Sequence, residues 1–275
     1  ILDNVVLMLY PTINPDGQTM VANWYLSNVG TPYEVAPIPK LYQKYVGHDN
    51  NRDAYMLNMI ESRVMERTWR EWEPNIIYVH HQSSPFPTRI WLPPFAEPIA
   101  TQTPPIIARE VNMIGMAIAQ SLEVNNQPGA VHMGTGFDAW YPGYIDYMPV
   151  LQNTPSFWTE TSLYRYATPY FYTIDDFPQD KAGLRAESLY TSPWKGGWWR
   201  ISDAMAYMQT ASLAVLDYAA KYGYELLYGR YRSAKSIEEK YSHEPPYAYF
   251  IPQQQSDPMS AVEMLRRLAF NGVRV

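Results

Sequence analysis

The sequence predicts an α/β fold, a mixed and mostly parallel twisted sheet flanked by helices, on three observations. Short apolar β-type runs alternate with longer segments whose apolar residues recur near helical spacing. Hydrophobic residues make up 47% of the 275-residue chain, enough for a sizeable core. The runs end in polar, aromatic-rich loops, and the chain holds 24 Pro, 24 Tyr and 9 Trp. That mixture suits long loops around a cleft and does not suit a disordered chain.

The elements follow in order. Residues 5–10, Val-Val-Leu-Met-Leu-Tyr, read as a buried strand leading into an Asn14-Pro15-Asp16-Gly17 turn. Residues 18–48 read as loop, with Pro32, Pro37 and Pro39. A helix starts near Asn51, capped by Asp49 or Asn50, and ends before Pro74, because the residue preceding proline avoids the α region. Residues 75–80 form a strand, followed by a proline-rich loop. Residues 106–124 read as a helix burying Ile106, Val111, Ile114 and Ile118. Residues 126–155 are irregular and carry Gly134, Gly136 and Gly143, and Phe157–Thr161 is a short strand. Residues 198–224 form a long helix that 229–241 extends or follows, Tyr247–Ile251 a strand, and 257–270 a helix.

Composition narrows the partners. A net charge of −6 with no long basic run argues against nucleic acid. No apolar run approaches the ~18–20 residues that span a membrane. The chain has no cysteine, which excludes disulfides and thiolate-bound zinc. The first and last residues read as lying inside core elements, so an internal portion of a longer polypeptide, or a processed chain, is expected. The paired prolines in Glu244-Pro245-Pro246 suggest a division into 1–243 and 244–275, the second part opening another α/β domain.

The most informative stretch is Asn75-Ile-Ile-Tyr-Val-His-His-Gln-Ser-Ser84, where an apolar strand delivers His80 and His81 into a polar loop. A strand end holds a side chain rigidly while letting it face a cleft. Asn14-Pro15-Asp16-Gly17 and Asp49-Asn50-Asn51-Arg52 precede it, and Thr159-Glu160-Thr161 follows. Together, in this order, these elements resemble the zinc carboxypeptidase family of metallopeptidases, in particular its large bacterial members. The resemblance covers roughly residues 4–165 and is diffuse beyond.

That resemblance implies a site. His80 matches the family's later metal-binding histidine and ranks above His81, which takes the place after the ligand; pleat alternation lets only one of the two face the site. Glu160 matches the general base, and Asn51 and Arg52 match the pair that grips the substrate's terminal carboxylate. Tyr144 matches a substrate-binding tyrosine, with Tyr141 competing. The implied cofactor is one zinc ion, and the implied substrate is a protein C-terminus or a cell-wall peptide outside the cell, in a secreted or periplasmic setting.

Two departures qualify this. The chain offers no His-x-x-Glu, so the remaining zinc ligands are expected upstream of residue 1 or on a missing segment or second copy, or are lost. Residues 18–48 contain no arginine to stabilise an oxyanion, leaving Arg89 or His132 as substitutes. The expected activity is hydrolysis of peptide or amide bonds near a free carboxylate by metal-activated water. The alternative is a carboxypeptidase-like binding or assembly protein without catalysis.

Overall fold

A computed structural model describes residues 1–133 and 137–275. Gly134 and Gly136 lie outside the described residues. The chain is mixed α/β, with a mostly parallel four-stranded sheet flanked by helices. The strands are β1 (Ile77–His81), β2 (Ile90–Trp91), β3 (Ala130–Val131) and β4 (Ser156–Thr161), in the order β1-β4-β2-β3. β1 and β4 run parallel, as do β2 and β3, while β2 and β4 are antiparallel. All six residues of β4 are buried, as a central strand requires. A separate antiparallel pair joins β5 (Tyr170–Tyr172) to β6 (Gly197–Trp199).

The helices are α1 (Pro15–Asn28), α2 (Ile60–Trp72), α3 (Pro105–Val124), α4 (Ile201–Lys221), α5 (Gly223–His243) and α6 (Pro258–Phe270). α3 buries Ile107, Val111, Ile114, Ile118 and Leu122 in one stripe, at the helical period the sequence shows. Ile106, expected in that stripe, is 37% exposed. Gly115 of α3 lies against the Pro93 carbonyl, where a Cβ would collide, so the helix can sit close to the proline-rich loop. α4 packs on α3 and reaches β4. One aromatic-rich core joins these elements around Trp91, Phe157, Trp158, Trp194 and Trp199.

Several expectations give way. Asn14-Pro15-Asp16-Gly17 opens α1 rather than closing a turn: the Asn14 side chain accepts from the Gly17 N–H at 2.8 Å. Proline occupies the first helical position, where its missing N–H costs nothing. The helix takes up part of the stretch read as loop. Residues 5–10 form no strand, and Val6 is 80% exposed. Tyr247–Ile251 likewise forms none, with Phe250 90% exposed. Both runs have β propensity, but none of the described strands pairs with them, and propensity without a partner edge does not hold a strand.

The helix expected from Asn51 is split. A 3-10 turn spans Asn50–Arg52, capped by Asp49, whose carboxylate accepts from the Asn51 N–H at 2.8 Å. The buried Asp53 carboxylate then accepts from Asn58 N–H at 3.0 Å and Met59 N–H at 2.8 Å, folding the chain back before α2 begins. α2 stops at Glu73, as Pro74 demands. The helix expected over 198–224 breaks near Tyr222, and α5 continues with the polar sequence. Near the C-terminus, Gly272 lies against the Arg70 guanidinium of α2.

Candidate active site

The parallel register of β1 and β4 sets His81 directly beside Glu160, and Glu160 also pairs across to Trp91 of β2. Pleating sends alternate side chains to opposite faces. Tyr78, His80 and Thr159 therefore share one face, where Tyr78 Oη and Thr159 Oγ1 lie 2.8 Å apart and the Tyr78 and His80 rings 4.3 Å apart. His80 Nε2 meets Ser212 Oγ of α4 at 3.0 Å on that side. His81 and Glu160 share the other face. The pleat thus aims His81, and not the higher-ranked His80, into the cluster with Glu160.

His81 stands between two carboxylates. Its Nε2 lies 3.2 Å from Asp146 Oδ2, and its Nδ1 lies 3.7 Å from Glu160 Oε1. Asp146 is fully buried and Glu160 is 5% exposed. Burial works against the imidazolium, but Asp146 and then Glu160 outweigh it and raise the His81 pKa. Burial pushes the Glu160 carboxyl up to about 7, against the pull of His81 and of hydrogen bonds from Ser83. Ser83 Oγ donates to Glu160 Oε2 at 3.0 Å.

The Asn50–Arg52 turn borders this pair. Asn51 accepts from the Ile145 N–H at 2.9 Å through Oδ1, and its Nδ2 lies 3.5 Å from His81 Nε2. That bond to Ile145 holds the turn against the loop carrying Asp146. Arg52 donates to the Asn51 carbonyl at 2.7 Å, and its exposed guanidinium lies 4.5 Å over the Tyr144 ring. Tyr144 rests edge-on against Trp158 of β4, with ring centroids 5.6 Å apart. The Tyr141 ring lies tilted against Tyr144, with centroids 4.9 Å apart.

Asn51 and Glu160 therefore flank His81, Arg52 and Tyr144 pair with each other next to Asn51 and Trp158, and His80 faces the other side of the sheet. The substitutes considered for an oxyanion donor lie elsewhere. His132 is buried and holds the Pro93 carbonyl at 2.7 Å, and Arg89 is fully buried among aromatic rings. Asp146 and Ser83 escaped the sequence reading. Each is an ordinary residue beside a motif, Asp146 two places after Tyr144 and Ser83 two after His81, and the pairing across the sheet is what brings them together.

A catalytic zinc takes about three protein ligands and an open position. Among the described residues no group of three or more His, Asp or Glu side chains is arranged to hold a metal ion. Both nitrogens of His81 face carboxylates. No helix among them is long and apolar enough to cross a membrane. Comparison with family models, curated proteins and solved structures found no match.

Proposed function

We propose that this chain carries a carboxypeptidase-like hydrolase site, acting on a peptide or amide bond next to a free carboxylate. The observation that carries the reading is the Glu160–His81 pair, a near-neutral carboxyl beside an imidazole, bordered by the Asn51–Arg52 turn. A carboxyl with a pKa of about 7 can both take and return a proton at neutral pH. Glu160 takes a proton from the attacking water as its oxygen bonds the carbonyl carbon, and returns it to the amine nitrogen as the C–N bond breaks. The exposed Arg52 guanidinium offers a planar fork for the substrate carboxylate, backed by Tyr144. Asp146 holds the His81 ring through Nε2, with Asn51 beside it. A zinc ion enters this reading only with ligands from outside the described residues, and no step here passes through one.

The test is hydrolysis of short peptides by the whole protein, with zinc content per chain measured alongside. E160Q is expected to lower kcat by about 10²–10⁴-fold with the far-UV spectrum unchanged. R52Q is expected to raise KM for free peptides and not for C-terminally amidated ones. A wild-type rate in E160Q would sink the proposal. The two carboxylates that already engage His81 favour a second reading, a carboxylate-binding module. Peptide binding that needs a free C-terminus, with no cleavage at any zinc loading, would select it.

A further inference from the structure

A polar cavity lies apart from the His81 cluster and shares no residue with it. It lies where β5, the start of α4 and the loop at residues 163–170 meet, and it opens to solvent. Its enclosed volume is about 10 Å³, about that of one water, so it suits one polar group of a ligand that reaches in from solvent. Tyr164, Tyr166, Tyr170 and Tyr172 line its wall, and Arg165 and Arg200 supply charge.

The cations there are weakly neutralised. The Arg165 guanidinium lies 4.7 Å over the Tyr170 ring, and its Nε is buried without a hydrogen-bond partner. The Arg200 guanidinium lies 4.8 Å over the Trp198 ring, and its Nη1 is 3.8 Å from Asp203, a loose pair. Behind the wall sits Arg89. Three of the rings around it, Trp199 at 4.5 Å, Tyr164 at 5.6 Å and Tyr172 at 5.7 Å, are also walls of the cavity. Its Nη1 and Nη2 are buried and find no hydrogen-bond partner among the described residues. On the other side of the ledger stand Asp176, 3.5 Å from the Tyr170 hydroxyl, and Glu34, which accepts from Thr168 Oγ1 at 2.6 Å. No Asp or Glu is among the described residues that line the cavity itself.

We infer that this cavity is an anion site that takes the carboxylate group of a ligand between Arg165 and Arg200. The planar forks of two arginines match a carboxylate. Three guanidinium groups around one aromatic wall raise the local potential. Glu34, bonded to the lining Thr168, is the built-in competitor.

The test uses sodium propionate as the probe, titrated at constant ionic strength into the ¹⁵N-labelled protein. The readout is the Arg Nε–Hε resonances, with that of Arg165 assigned by its loss in R165Q. The expected result is a saturable shift of the Arg165 resonance, with a dissociation constant on the order of 10 mM. R200Q is expected to weaken it by about fivefold and E34Q to tighten it by about twofold, the sizes of exposed ion-pair effects. Phosphate binding tightly where propionate does not would reassign the ligand and overturn the carboxylate inference. No saturable shift, or one untouched by both R200Q and E34Q, would overturn the site. E34Q keeps the question open to measurement if R200Q unfolds, because its expected effect is a gain.

Discussion

His81 and Arg89 are two basic side chains, the first half-buried and the second fully buried, handled in opposite ways. His81 meets charge with charge, between Asp146 at 3.2 Å and Glu160 at 3.7 Å. Arg89 meets charge with polarisable rings, Trp194 at 3.7 Å and Trp199 at 4.5 Å, and its one hydrogen bond is from Nε to the Pro87 carbonyl at 3.1 Å. Burial lowers the Arg89 pKa to about 10, which still leaves it charged at neutral pH. Glu160, pushed up to about 7, changes charge near neutrality. A caged cation is a fixed feature, whereas a paired carboxyl near its pKa is an adjustable one. Proton-transfer chemistry belongs at the His81 end and fixed electrostatics at the Arg89 end.

The largest effect that bears on this contrast is at Arg89. R89A opens a void between Phe86, Trp194 and Trp199 and removes the cation–π attraction, so about 4 kcal/mol of stability is expected to go. R89M keeps most of the volume and loses the charge alone, at about 1 kcal/mol. Urea denaturation of both variants measures this. An R89M protein more stable than wild type would show that the rings do not offset the hydration Arg89 gives up, which would break the contrast.

The next effect is a pH dependence. In the unfolded chain Glu160 releases its proton near pH 4.5, whereas in the fold it keeps it to about pH 7. The unfolded state therefore sheds its proton first as pH rises. Stability falls across that window, by about 3 kcal/mol for this one group. His81 acts in the same direction: its raised pKa stabilises the fold fully below pH 6.5, and that stabilisation is lost as pH rises through the folded value. Glu110, buried between α3 and α5 and pushed up to about 7, adds to the fall. The readout is therefore the difference between wild type and E160Q in Tm from pH 4 to 8. Parallel curves would mean that Glu160 is not held neutral.

What the sequence disclosed follows the same division. β1, β4 and α3 were legible because their apolar residues pack in periods of their own, and so burial and local pattern agree. The Arg52–Tyr144 neighbourhood was placed through ordered motifs. The choice between His80 and His81 was not legible, because it depends on which face of β1 meets Glu160, a matter of register with a strand some eighty residues away. Asp146 and the ring cage of Arg89 were invisible for that reason too: each is assembled from segments far apart in the chain. Residues 5–10 and 247–251 misled in the reverse way, showing strand propensity with no edge to pair with.

A middle-sized effect tests the charge side of the contrast. D146N removes the carboxylate that most strongly supports the imidazolium, so the His81 pKa is expected to fall. Stability below pH 6.5 should drop by about 2 kcal/mol, the scale of a hydrogen bond to a charged group. Proton NMR of the His81 ring measures the first and thermal denaturation the second. An unmoved His81 titration would assign its support to Glu160 instead.

The smallest effect separates the two carboxylates around His81. Ser83 donates to Glu160 Oε2 at 3.0 Å, and a hydrogen bond to the carboxylate favours the ionised form. S83A removes it, so the Glu160 pKa should rise further above about 7 while Asp146 and His81 keep their contact. The stability change should be about 1 kcal/mol or less, because the carboxyl in S83A can stay protonated rather than buried and charged. If Glu160 is the group that moves the proton, the acidic limb of the rate profile shifts to higher pH in S83A, and the maximum rate changes little. If the same substitution leaves the profile in place, the titrating group is His81 held by Asp146, and the carboxylate on β4 is a spectator to it.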